Sequence, residues 1–306
     1  MKLTVGIADL LIGIDLVDGA ERAAPLFKAF FGDFLQPEQP WDAEVRIVIR
    51  QFPDHTPPGV KRGRKRVAEQ RLSTPDIAAW LDGIPGWAGL FPITETTIAS
   101  HCLGGLLLFN PETSSGCMLL KEGPRRLQPV YRLFWTYCAQ VLGEKGGCFI
   151  HSAALARDGK GYLFLGESGA GKSTLARLHG GQGVFSDDSP VLCRRNGDSF
   201  IFPSPFDQTD RSQGADGDTI GRSARLEGLY FLSQADRTCL EKMPTKEAVP
   251  LILHRHLFFP RYLSARVRAD LFGFFCDLCD RIIPHRLYFS LNEEIWGIIE
   301  SSKRLK

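Results

Sequence analysis

Gly166-Glu167-Ser168-Gly169-Ala170-Gly171-Lys172-Ser173-Thr174 (GESGAGKST) is the stretch that decides the reading of this 306-residue chain. Gly166, Gly171, Lys172 and Ser173 occupy every fixed position of the pattern G-x-x-x-x-G-K-[ST]. Just upstream, Tyr162-Leu163-Phe164-Leu165 is a short apolar run rich in strand formers. Just downstream, Ser173 to Leu178 reads as the start of a helix. A strand, a glycine loop and a helix in that order are the context of a P-loop. Glycines let the backbone turn tightly and bring its N–H groups close to a polyphosphate. The helix N-terminus adds its positive end. Lys172 would then reach the β- and γ-phosphates of ATP, and Ser173 would hold Mg²⁺. Residues 166–174 are accordingly the expected nucleotide-binding segment. A bare glycine turn before a helix is the simpler reading, and the match at all four fixed positions argues against it.

A second feature follows closely. Gly183-Val184-Phe185-Ser186 reads as a strand ending in Asp187-Asp188, only 15 residues after Lys172. A single helix separates the loop from the acids, so the strands carrying them can be neighbours. Two carboxylates beside bound phosphates suit two tasks. One can ligate Mg²⁺, and the other can accept a proton from an attacking hydroxyl. Asp-Asp-Ser-Pro is also turn chemistry, so a structural role competes with the catalytic one.

Composition limits the alternatives. Apolar residues make up 43% of the chain, enough for a real core, and the net charge of +2 gives no sign of bulk nucleic-acid binding. The first residues, broken by Asp9 and Asp15, look like strands rather than a signal peptide. No run approaches the ~18 apolar residues of a membrane span. A P-loop needs cytosolic ATP, so the eight cysteines read as reduced thiols of a cytoplasmic protein. The basic cluster from Lys61 to Arg66 is either a solvated loop or a docking patch for an acidic peptide.

Along the chain, residues 1–144 read as a strand-rich α+β domain, for which substrate or partner docking is the role considered. Strands are expected around Leu3–Val17, Glu44–Phe52 and Cys102–Phe109, with helices at Ala24–Phe34 and Asp76–Leu81. From Leu127 to Leu142 apolar residues recur at the spacing of one buried helix face. The glycines at 143, 146 and 147 mark a boundary. Residues 145–306 then form the second domain. It opens with a strand over Cys148–Leu155 and a hairpin through Asp158-Gly159 into the strand that feeds the glycine loop.

His151, Gly166 fifteen residues on, the short helix and Phe185-Ser186-Asp187-Asp188 together resemble the C-terminal domain of HPr kinase/phosphorylase. That resemblance covers roughly residues 145–300. It implies an α/β, PEP-carboxykinase-like P-loop fold and ATP- and Mg²⁺-dependent phosphorylation of a serine on a protein. It also implies that Lys172 and Ser173 serve phosphate and metal, Asp187 is the base, Asp188 contacts the metal, and His151 lies near the phosphates. One departure is Arg225-Leu226-Glu227-Gly228-Leu229-Tyr230, where that family carries an acid, a basic residue and Gly-Leu-Gly. The charges are reversed and the last glycine is missing, which weighs against phosphorylase activity. The layout is also similar to HPr-kinase-related proteins of peptide-modification cassettes, including the SynChlorMet cassette group and lasso-peptide kinases. Those share the Pro203-Ser204-Pro205 segment, and they imply a peptide or small protein with a serine or threonine acceptor as substrate. Neither nucleic acid nor membrane is expected as a partner, and self-association is left open.

Other constellations are weaker. Cys276 and Cys279, with His254 and His256, could supply four zinc ligands. The helical periodicity of Val267–Ile283 instead makes the two cysteines neighbours on a buried helix face. Asn292, with Glu293 and Glu294, reads as a helix N-cap. No Asn-Lys-x-Asp guanine motif is present, and Gly180-Gly181-Gln182 lacks the flanks of an ABC-type signature. The competing functional class is a nucleotide-binding regulatory module, or a P-loop ATPase that transfers no phosphate to a protein.

Overall fold

The computed structural model describes residues 1–37, 39–50, 81, 91–102, 105–121, 127–179, 183–207, 222–290 and 295–304. The 61–66 cluster, the Asn292 cap, Gly180–Gln182 and nearly all of the helix expected at 76–81 lie outside them. The chain is mixed α/β with two sheets and forms two compact units. One is Met1–Lys145 with Arg261–Ser264, and the other is Gly146–Pro260 with Ala265–Lys306. Among the described residues no helix is long and apolar enough to cross a membrane.

The first unit is a seven-stranded sheet in the order β3-β1-β2-β4-β7-β6-β5. Its strands are β1 (Lys2–Ile7), β2 (Leu10–Val17), β3 (Leu35–Gln36), β4 (Ala43–Arg50), β5 (Ile98–Cys102), β6 (Gly105–Asn110) and β7 (Ser115–Lys121). The helix expected to reach Phe34 stops earlier: α1 spans Ala24–Phe31, and Gly32–Phe34 is a 3₁₀ turn. The helix expected at Leu127–Leu142 is α2 (Leu127–Glu144). Its Phe134 meets Phe27 and Phe31 of α1 at ring distances of 5.8 and 5.1 Å. Its Tyr137 is fully buried, edge-on to Phe109, with the hydroxyl donating to Ser114 O at 2.9 Å. A Cβ at Gly116 would lie 2.7 Å from the Tyr137 ring, so the glycine is a packing requirement. Arg261–Ser264 attaches here through Gln140 Nε2, which donates to Tyr262 O at 3.4 Å.

The second unit holds β8 (Gly147–Phe149), β9 (Ser152–Arg157), β10 (Lys160–Leu165), β11 (Val184–Ser186), β12 (Val191–Arg195), β13 (Asp198–Phe202), β14 (Ala224–Gln234), β15 (Cys239–Lys242) and β16 (His285–Phe289). Its helices are α3 (Lys172–Leu178), α4 (Thr245–Leu251), α5 (Ala265–Arg281) and α6 (Ile295–Arg304). The sheet runs β11-β9-β10-β14-β13-β12-β8, and β14 also pairs in parallel with β16. β9 and β10 form the expected hairpin. Asp158 and Gly159 both have positive φ (51° and 72°), the geometry that Asp-Gly supplies in a two-residue turn. β12 and β13 make a second hairpin through Asn196-Gly197, again both at positive φ.

One expectation changes and one possibility closes. The single strand over 148–155 is broken at Ile150-His151, because β8 pairs with β12 while β9 pairs with β10 and β11. The chain steps from one part of the sheet to another at that point. The strands carrying the glycine loop and the acids are not neighbours either: β9 lies between β10 and β11. β9 is antiparallel to both, so β10 and β11 run the same way and end at the same edge.

β10 is buried on both faces, as strands in the middle of a covered sheet are. One face packs Tyr162 and Phe164 with Leu175, Phe289, Ile299 and Trp296. The Trp296 ring stands edge-on to Tyr162 at 5.0 Å and near His179 at 5.2 Å, with the Arg157 guanidinium over it at 5.1 Å. This side chain therefore ties α6 to β10 and to the end of α3. Truncating so large a buried ring forfeits both transfer free energy and packing. Trp296→Ala should lower the stability of this unit by about 3–5 kcal/mol, measured as a shift in the urea midpoint. A loss below ~1 kcal/mol would show that α6 is not part of this core.

Candidate functional site

Three segments converge on one edge of the second sheet. β10 ends at Leu165 and delivers the glycine loop, β11 ends at Ser186 and delivers the acids, and β9 begins just after His151. Leu165 pairs with Ser152 in the ladder, so His151 and Gly166 emerge side by side.

The loop owes its shape to two glycines. A Cβ at Gly166 would lie 2.7 Å from the Ala170 Cβ. At Gly171, φ is +104° and a Cβ would lie 2.6 Å from the Phe289 ring, so both strain and contact exclude a side chain. Glu167, Ser168 and Gly169 are exposed, Ala170 and Thr174 half-buried, and Ser173 exposed on the first turn of α3. The Ala170 N–H donates to Glu167 O at 3.0 Å, and Gln234 Nε2 donates to Gly169 O at 2.9 Å. Lys172 is buried, and its Nζ donates to Gly166 O at 2.8 Å and to Glu167 O at 3.2 Å. The loop thus wraps the ammonium with its own carbonyls. Burial pushes the Lys172 amine below its ordinary range, while the charges of Asp188 and Asp187 act the other way.

The acids stand in a turn that Ser186 closes. The buried Ser186 Oγ accepts from the N–H groups of Asp188 and Ser189, at 3.2 and 2.9 Å. Turn chemistry and placement at the site are therefore not alternatives. The Asp188 carboxylate lies 3.3 Å from His151 Nε2. The Asp187 N–H donates to a carboxylate the sequence did not single out, Asp207 Oδ2, at 3.1 Å. Asp207 is placed by the Pro203-Ser204-Pro205 segment, where Ser204 Oγ accepts from the Phe206 N–H and Phe206 buries its ring against Phe149.

The His254-Arg255-His256 run also takes a different place from the one considered for it. Cys279 is buried on α5 with Cys276 half-buried one turn away. Among the described residues no group of three or more His, Cys, Asp or Glu could hold a metal ion. His256 instead lies under His151: the His151 N–H donates to His256 O at 2.7 Å, and His256 Nδ1 meets His151 O at 3.2 Å. A carbonyl only accepts, so Nδ1 carries the proton. Arg255 pairs with Glu167 of the glycine loop. Arg255, His256, Asp207 and Gln234 thus join the site through tertiary contacts that no local pattern announces. Arg225 and Glu227 do not join it. Arg225 pairs with both Asp198 and Glu227 beside the start of β10, at the far end of β14 from the glycine loop.

Burial pushes His256 down from its ordinary 6.5 to about 4, against the opposing hydrogen bond to the His151 backbone and with help from the nearby His151 and Lys172 side chains. The folded state holds this ring neutral where the unfolded chain would already be protonated. The sign follows: its contribution to stability is complete above pH ~6.5 and is lost as pH falls towards about 4. His256→Asn keeps a donor in the Nδ1 position without a titrating ring. The variant should show a shallower loss of urea midpoint between pH 6.5 and 4 than the wild type. Identical slopes would remove His256 from the acid sensitivity.

No curated protein matches this chain. Residues 125–304, more than half of it and including every site residue above, match the family described as SynChlorMet cassette protein ScmC. The chain belongs to the ScmC family of SynChlorMet cassette proteins.

Proposed function

We propose that this protein is an ATP- and Mg²⁺-dependent kinase with a P-loop, HPr-kinase-like second unit, and that it phosphorylates a serine or threonine hydroxyl on a peptide or small protein. Membership of a cassette family is compatible with a peptide-modification pathway. The observation that carries the reading is convergence. One sheet edge brings together a glycine loop that excludes side chains, a buried lysine at its base, and an acidic pair flanked by a histidine.

These residues fit a magnesium nucleotide. Gly166 and Gly171 let the loop pack closely against Ala170 and Phe289, and a tight glycine turn of this kind leaves backbone N–H groups free to face a polyphosphate. Ser173 and Asp188 offer hard oxygen donors. Mg²⁺ is usually held by one or two such ligands together with phosphate oxygens and water. Bound there, ATP would supply the γ-phosphoryl group that passes to the acceptor oxygen, leaving ADP.

The chain's own residues then divide the work. Lys172 trades its loop carbonyls for phosphate oxygens, keeping a cation where negative charge gathers. Asp188, oriented by His151, contributes a carboxylate oxygen towards the metal. Asp187, its backbone fixed by Asp207, takes the proton that the acceptor hydroxyl loses. A kinase site depends on such positioning and electrostatics more than on covalent chemistry.

The deciding experiment supplies γ-labelled ATP, Mg²⁺ and a peptide encoded beside the gene. Label on a peptide hydroxyl supports the kinase, and label only in inorganic phosphate supports an ATPase. In the same assay a folded Lys172→Ala protein should lose nucleotide binding or transfer. Asp187→Asn should lower kcat by ~10²–10⁴-fold with little change in nucleotide affinity. Asp188→Asn should raise the Mg²⁺ concentration for half-maximal rate. Losses under about threefold in both aspartate variants, far below the general-base range, would reduce the acidic pair to a turn.

A further inference from the structure

The Arg255–Glu167 pair has no part in the reading above. Its placement is built, not incidental. Pro250 leaves a gap in the hydrogen-bond ladder of α4, because it has no N–H to give, and the Ile252 N–H resumes the ladder on Ala248 O. The chain continues as a π-helical turn over Ile252–His256, closed by the Leu257 N–H on Ile252 O at 2.8 Å. Such turns recur at functional sites. This one is pinned on both sides of Arg255. His256 exchanges two hydrogen bonds with His151 and packs against Phe231. Leu257 then bridges Ile150, and the Phe258 N–H donates to Phe149 O at 3.2 Å.

The guanidinium held by this turn pairs with Glu167, whose own carbonyl receives Lys172 Nζ. Two cations therefore converge on one residue of the glycine loop, one through its main chain and one through its carboxylate. That carboxylate is the wrong charge for a loop that receives a polyphosphate. Both side chains of the pair are well exposed, at 60% and 72%, and exposed ion pairs hold weakly. A phosphate offers the guanidinium a doubly charged, bidentate partner in place of a carboxylate.

We propose that Arg255 contacts the terminal phosphate of the bound nucleotide, and that Glu167 holds it in waiting until that phosphate displaces the carboxylate. The inference rests on the nucleotide reading of the same site. It assigns Arg255 a role in telling a nucleoside triphosphate from a diphosphate.

The test is calorimetric titration of the full chain with MgATP and, separately, MgADP. Arg255→Ala should weaken MgATP about tenfold, the scale of one charge-assisted hydrogen bond, and leave MgADP nearly unchanged. Glu167→Gln should tighten MgATP, because it removes both the competing partner and a repelling charge. Arg255→Lys should fall between wild type and alanine. Both positions are exposed, so circular dichroism should confirm unchanged folding. A tether that only shapes the loop behaves differently: Arg255→Ala and Glu167→Gln would then weaken both nucleotides alike. That pattern, or an Arg255→Ala protein that binds MgATP as wild type does, overturns the inference. Lys172→Ala separates the two layers. If wild type binds and Lys172→Ala does not, the nucleotide reading stands whatever Arg255 does. If wild type binds neither nucleotide, both fall together.

Discussion

Three successive backbone groups carry the site. Ile150 N–H donates to Pro190 O, His151 N–H to His256 O, and Ser152 N–H to Asp188 O. Buried amides demand partners, and these three take them from the acid turn and from the segment after α4. At this point the chain steps between β8 and β9. One short crossing therefore fixes the acid turn, the histidine beside it and the arginine-bearing turn in a common frame.

The loop opposite is held by a different balance. Lys172 is desolvated, which disfavours its charge, and loop carbonyls and two nearby carboxylates offset that cost. Such an amine remains responsive to what arrives. An incoming anion gives it a stronger partner than neutral carbonyl oxygens do. Phe289 beneath Gly171 and Gln234 on Gly169 keep the loop in place while the lysine changes partners.

Much of this was legible because it is written in short stretches. The glycine loop, the Asp158-Gly159 hairpin and the amphipathic α2 each follow from local rules of turn chemistry or periodicity. The break at Ile150-His151 was not legible. An apolar run shows that a segment is buried, and says nothing of which strands it pairs with. Chain order likewise leaves β10 and β11 free to be neighbours and cannot reveal that β9 comes between. Arg255, Asp207 and Gln234 come from segments well removed in sequence from the residues they touch, so no spacing rule reaches them. Asn196-Gly197 was a readable hairpin signal, and its importance lies in what it joins.

The β12–β13 hairpin leaves the acid turn at one foot and reaches the Pro203–Asp207 segment at the other. Val191 pairs with Phe202, so the two feet stand together, and the Asp187 amide closes the gap by bonding the Asp207 carboxylate. The hairpin is in effect a gauge. Its far end, a two-residue turn, sets how the carboxylates at its near end face each other. A one-residue slip there would send each side chain to the opposite face and would pull a negative charge out of the site. A change at Asn196 or Gly197 would thus act as an electrostatic lesion delivered through the length of a ribbon.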